Sequence, residues 1–156
     1  MKRGMIILAL AAGLALAGTA SARTPVGIRA GYTDWDGLSQ AHFGAHLKVG
    51  ELFPNVDLTP GLEFGFSGGA TVATLNGDLA YKFTELVEAP WGFYAGGSLS
   101  LNYLKPDAFD SDLKVGLSGL IGGSHLLNNG DQILLEVRLG ILDSPDFKIT
   151  AGYTFF

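Results

Sequence analysis

Residues 132–141 alternate with a period of two: Ile133, Leu135, Val137, Leu139 and Ile141 are aliphatic, and Gln132, Glu136, Arg138 and Gly140 fall between them. Successive side chains leave a strand on opposite sides, so this pattern predicts a strand with one apolar and one polar face. After a break at 142–146 the alternation returns, with Phe147, Ile149, Ala151, Tyr153 and Phe155 against Lys148, Thr150, Gly152 and Thr154. Ser144-Pro145-Asp146 is turn chemistry, so the two segments read as a hairpin. The polar face carries ion-pair partners and the apolar face ends in aromatics, which makes the apolar face the lipid-facing one.

Six earlier segments keep the same rhythm. In 26–33, Val26, Ile28, Ala30 and Tyr32 point out while Gly27, Arg29, Gly31 and Thr33 point in. In 42–49 the outward set is Phe43, Ala45, Leu47 and Val49, and the inward set His42, Gly44, His46 and Lys48. In 58–66, Leu62, Phe64 and Phe66 oppose Gly61, Glu63 and Gly65, and Pro60, which cannot donate to a ladder, is expected near a strand end. Segment 74–83 sets Leu75, Leu79, Tyr81 and Phe83 against Asn76, Asp78 and Lys82; segment 91–103 sets Trp91, Phe93, Ala95, Leu99, Leu101 and Tyr103 against Tyr94, Ser98, Ser100 and Asn102. Segment 113–121 sets Leu113, Val115, Leu117 and Ile121 against Lys114, Gly116 and Ser118. Breaks fall at 34–39, Phe53-Pro54-Asn55, Gly68-Gly69, Glu88-Ala89-Pro90, 105–112 and Asn128-Asn129-Gly130-Asp131.

Strands of about 9–11 residues suit a tilted membrane crossing, and an even number closes an antiparallel sheet. Hydrocarbon offers no hydrogen bonds, so the sheet must close on itself. The expected fold is all-β, an eight-stranded antiparallel up-and-down transmembrane β-barrel. Aromatic girdles are expected at Phe83, Trp91, Phe93, Tyr153 and Phe155 at one end and at Trp35, Phe66, Tyr103 and Phe147 at the other.

The closing residues Tyr153-Thr154-Phe155, with Phe156 as one extra residue, resemble the carboxyl-terminal assembly signal of Gram-negative outer-membrane β-barrel proteins, in particular the small eight-stranded ones. In that family the last residue is usually the aromatic in phase; here the phase places Phe155, not Phe156, with Tyr153. The resemblance implies both termini in the periplasm, the breaks near Trp35, Gly69, Asp107 and Asp143 outside, and those near Asn55, Glu88 and Asn129 inside. It also implies delivery by periplasmic chaperones to the barrel assembly machinery, and outer-membrane lipid and lipopolysaccharide as surroundings.

The start of the chain fits export. Lys2 and Arg3 precede an apolar run at 5–16, and Ala20-Ser21-Ala22 supplies small residues for cleavage after Ala22. The run is too short to span a bilayer comfortably, for which about 20 residues are needed. Taking residues 1–22 as a cleaved signal peptide leaves 23–156 as a single barrel domain. Cysteine is absent, so neither a lipoprotein anchor nor disulfides are available. Past residue 22 there are eight Lys or Arg against fifteen Asp or Glu, a net −7, which argues against a nucleic-acid partner.

Most of those basic residues fall on inward positions, in company with a few acids. Arg29, His46, Lys48, Glu63, Asp78, Lys82, Lys114, Glu136, Arg138 and Lys148 are therefore read as a lumen charge network, because an unpaired charge at mid-depth costs several kcal/mol. An eight-stranded barrel is just wide enough for side chains to fill. His42 and His46 are read as hydrogen-bonded interior residues rather than metal ligands, since no Cys or converging carboxylates accompany them. Asp107, Asp110 and Asp112 lack the spacing of a calcium loop. With no Ser/His/Asp set around His125, no catalytic site, cofactor or metal is expected. The expectation is a monomeric, non-enzymatic, membrane-stabilising outer-membrane barrel with a filled lumen; a narrow porin-like channel and a soluble periplasmic binding barrel are the alternatives.

Overall fold

The computed structural model describes residues 24–67, 70–106 and 112–156. The proposed signal peptide, its cleavage residues Ala20 and Ala22, Gly68-Gly69, and Asp107 and Asp110 lie outside the described residues. Among the described residues nine strands form: β1 (Val26–Trp35), β2 (Leu38–Leu47), β3 (Gly50–Phe53), β4 (Val56–Ser67), β5 (Ala70–Lys82), β6 (Trp91–Pro106), β7 (Asp112–Leu126), β8 (Gln132–Leu142) and β9 (Phe147–Phe155). Strands β2 and β3 both pair with β4, so they are two pieces of one stave, and the barrel has eight. Each remaining strand pairs antiparallel with its neighbours in sequence, and β1 closes the ring against β9. Every strand except β3, which pairs with β4 alone among the described residues, thereby finds partners on both sides, and the closed ring removes the edges that hydrocarbon could not satisfy.

Side-chain phase follows the sequence alternation throughout. Along β1, Ile28 is 58 % exposed while its neighbour Arg29 is 6 % exposed; along β9 and β8 the same contrast separates Leu135 at 56 % from Thr154 at 0 %. The outer surface is a continuous belt of aliphatic and aromatic side chains, including Phe43, Phe64 and Phe66, whose rings meet across β2 and β4 at 5.6–6.2 Å. The interior is mostly polar, with Trp35, Ala70, Val72 and Leu120 as its buried apolar residues among those described. A water-soluble molecule would reverse this arrangement, since each large apolar side chain moved out of water is worth about 1.5–3 kcal/mol. The belt is a lipid-facing surface.

Several details differ from the sequence expectation. The break at 34–39 contracts to the two residues Asp36 and Gly37, both with positive φ (50° and 77°), the backbone of a tight two-residue hairpin. Trp35 consequently stays in the inward phase with Thr33 and is buried, so it caps the lumen instead of joining the girdle. Pro60 sits within β4, not near its end. On one side it keeps its register partner Gly77; on the other, the ladder from β2 stops at Gly61 and that from β3 begins at Leu58. The stave is interrupted beside the residue that cannot donate. Finally, the stretch after β8 folds inward: Ser144 is buried and Asn102 donates to the Asp143 carbonyl at 3.1 Å.

Candidate functional site: the barrel lumen

The lumen is built from the inward half of the alternation, and its depth levels are set by register. Arg29 of β1 lies level with Gly44 of β2, which lies level with Glu63 of β4. Gly44 has no side chain to fill the gap: a Cβ there would stand 2.7 Å from Glu63 Cγ. Gly61 is equally committed, since its Cβ would fall 2.5 Å from an Arg29 guanidinium nitrogen. These two glycines open the space through which Arg29 reaches across to β4 and β5.

At mid-depth six charged groups form one connected system. Lys148 of β9 pairs with Glu63; Glu63 pairs with Arg29 at 3.1 Å; Arg29 reaches Asp78 of β5 at 3.5 Å. Asp78 is held by Arg138 of β8 through two parallel contacts of 2.9 and 2.6 Å, and Arg138 Nε donates to Glu136 at 2.6 Å. Ser98 donates to Asp78 at 2.6 Å and Tyr94 to Glu136 at 3.2 Å. Three cations face three carboxylates, so the system is neutral as well as buried, and the donors and acceptors of each charge are largely satisfied.

The other residues of the expected network stand apart from this system. His46 joins the lumen as a hydrogen-bonding group: its Nε2 lies 2.8 Å from Thr154 Oγ1. His42 bridges Thr33 at 2.8 Å and Thr150 at 3.1 Å, which ties β1, β2 and β9 together. Lys48 donates to the Gln132 side-chain carbonyl and has no ion pair among the described residues. Lys82 sits at the rim of the end that carries both termini, bridging Glu51 at 2.8 Å and Asp57 at 3.1 Å. Lys114 lies near the opposite end and also lacks an ion pair among the described residues, so it is no member of the mid-depth system. Tyr94 and Ser98 are members that charge alone did not flag; their inward phase was the available signal.

The two halves of the lumen differ. Towards the far end, Thr74, Asn102 and Ser100 hydrogen-bond in series at 3.0 Å, and Trp35, Ala70 and Val72 are buried among them. Towards the terminal end, a cavity of about 400 Å³ reaches from Arg29, Asp78 and Glu136 to the β5–β6 connection at Phe83, Val87 and Pro90. At that end the chain terminus is also clipped to the β7–β8 turn. Asp131 accepts from the Tyr153 hydroxyl at 2.6 Å, from the Phe156 backbone N–H at 3.1 Å and from Asn129 at 2.7 Å. The Tyr153 hydrogen bond, then the Phe156 amide, hold the Asp131 carboxyl below its ordinary range. Phe155 is the last strand residue, facing outward with Tyr153, and Phe156 follows outside the ladder. Among the described residues no three His, Asp or Glu side chains gather as a metal site, and the His125 ring packs on Trp91 with centroids 4.4 Å apart.

No protein-family profile and no curated protein matches the sequence. Solved structures do match. Neisserial surface protein A is 14 % identical with a TM-score of 0.62, covering 84 % of this chain and 94 % of that one. The N-terminal β-barrel domain of Pseudomonas aeruginosa OprF is 13 % identical with a TM-score of 0.56, covering 85 % and 98 %. The outer membrane enzyme PagL is 10 % identical with a TM-score of 0.51, covering 84 % and 98 %. At such identities the likeness concerns the backbone, and it agrees with the lipid-facing belt and the polar interior: the chain has the fold of the small eight-stranded outer-membrane β-barrels.

Proposed function

We propose that the protein is a non-catalytic structural barrel of a Gram-negative outer membrane whose lumen is blocked by its own side chains. The observation that carries this reading is the neutral system of Arg29, Arg138, Lys148, Glu63, Asp78 and Glu136, which runs between staves at mid-depth. An ion crossing the barrel would have to displace paired, desolvated charges, and breaking one such pair costs about 3–5 kcal/mol. PagL is an enzyme on the same fold, so the fold leaves catalysis open. What supports a non-catalytic role is the engagement of His42, His46 and His125 with threonines or with Trp91. The terminal end belongs in the periplasm under this reading, where Tyr153, Phe155 and Phe156 would be presented to chaperones and the assembly machinery. The chain acts as a monomer.

Reconstitution into planar bilayers tests it: the expected record is flat, and a stable ohmic conductance would overturn the reading. That outcome would favour a narrow channel instead, the second reading, to which the cavity in one half of the lumen lends support.

A further inference from the structure

The terminal-end cavity is more than a gap left by packing. Its inner wall carries polar groups whose hydrogen-bonding capacity is unused. His46 is 2 % exposed and its Nδ1 has no partner; Arg29 is 6 % exposed and its Nε has none; both residues line the cavity. Lys48 is also on the wall, and its side chain has the Gln132 amide oxygen as its one hydrogen-bond partner among the described residues, although an ammonium carries three donors. The acids on the same wall are occupied: Asp78 by Arg138 and Ser98, Glu136 by Arg138 and Tyr94, and Asp57 by Lys82. Unused donor capacity at this wall therefore belongs to two cations, Arg29 and Lys48, with the His46 Nδ1 beside them able to donate or accept according to its tautomer. An unsatisfied buried donor costs about 1–3 kcal/mol, which a bound acceptor would recover.

The lining also carries the apolar side chains Leu120, Leu134, Leu126, Val87 and Pro90, which run from the level of Arg138 at Leu120 to the level of Gln132 at Leu126, beside the cationic wall. Leu120 is 3 % exposed, an aliphatic side chain turned into the lumen, as Trp35, Ala70 and Val72 are in its other half. The volume of about 400 Å³ lies within the range of small-molecule sites, about 300–1,000 Å³, and such sites pair apolar walls with a few converging polar groups. The mid-depth charge system forms the floor, so the cavity opens at one end.

We propose that this cavity is a binding site for a single-chain amphiphile with an anionic head, the head seated at Lys48, His46 and Arg29 and the tail lying along Leu120, Leu134 and Leu126. The site extends the structural reading and rests on its blocked lumen for a floor. Conductance tests the floor, and ligand binding tests the site, so the two can fail separately.

The test uses the full barrel in lipid nanodiscs, with empty nanodiscs as reference, and follows the amide resonances of Gly92, Ser124 and Gln132 during titration with decanoate. Saturable shifts are expected, at least tenfold weaker for decanol and for acetate. Lys48→Met should weaken decanoate at least tenfold, while Lys114→Met, at the other end, should leave it unchanged. A second measurement needs no variant. Across hexanoate, decanoate and hexadecanoate, affinity for a cavity of fixed size should stop rising once the tail fills it, whereas partition into the lipid rises about fourfold for each added methylene. Absence of saturable shifts, equal response to decanol, or a steady rise along the series would each overturn the proposal.

Discussion

Arg138 and Asp78, sixty residues apart, meet in the lumen through two parallel contacts, Nη1 to Oδ1 at 2.9 Å and Nη2 to Oδ2 at 2.6 Å. This fork is the strongest geometry available to an arginine and a carboxylate, and it joins β5 to β8 across the barrel. Removing one member leaves the other charged and buried. Asp78→Asn or Arg138→Met is expected to destabilise the barrel by about 3–5 kcal/mol, and the double replacement Asp78→Leu with Arg138→Met by less than Arg138→Met alone, since Glu136 loses its cation in both and only the single leaves Asp78 without Arg138. Urea unfolding in lipid vesicles, followed by tryptophan fluorescence, measures all three. A double variant weaker than the Arg138→Met single would contradict the pairing.

Space around Arg29 is tested by glycine. A Cβ at Gly61 would stand 2.5 Å from the guanidinium and 3.2 Å from the Ala45 carbonyl, so Gly61→Ala should cost about 1–3 kcal/mol by overpacking. Gly119 faces outward with nothing within 4 Å of a Cβ, and Gly119→Ala should be neutral or slightly stabilising. Equal losses at the two positions would show that the lumen is not tightly filled at Gly61.

The belt makes a depth-dependent prediction. Ile121 points outward at 62 % exposure and pairs in register with Val137, next to the level of Arg138. Ile121→Arg should therefore destabilise the protein by about 2–4 kcal/mol in bilayers, as expected for a charge near the midplane. Unboiled wild-type protein should migrate as a compact species on a denaturing gel, and this variant should lose that form at a lower temperature.

Asp131 supplies a pH dependence. Its carboxyl is held below the ordinary value by Tyr153 and the Phe156 amide, so the clip contributes fully above the unfolded carboxylate range and is lost as pH falls through the lower folded value. The Phe156 amide resonance should titrate with that depressed midpoint, and Asp131→Asn should abolish the titration. A midpoint at or above about 3.9, the unperturbed aspartate value, would show that the carboxylate is not engaged.

The sequence by itself determined which side of each strand faces lipid. A strand offers only two faces, and the choice between Ile133, Leu135 and Val137 on one and Glu136 and Arg138 on the other is made by the cost of placing charge in hydrocarbon. Strand number, antiparallel order and the ring closure of first strand on last follow from the same argument. Asp36-Gly37 was also legible, as an Asp-Gly hairpin signal inside a longer polar stretch, and reading it would have put Trp35 in the lumen. Tertiary structure alone decided the rest. Which inward side chains meet depends on the stagger between staves, a property of the closed barrel that no single strand encodes. Stagger brings Lys148 to Glu63 and Arg138 to Asp78, leaves Lys114 outside that system and Lys82 at the rim, and hollows one half of the lumen while the other is filled by Trp35, Asn102 and the inward fold at Ser144.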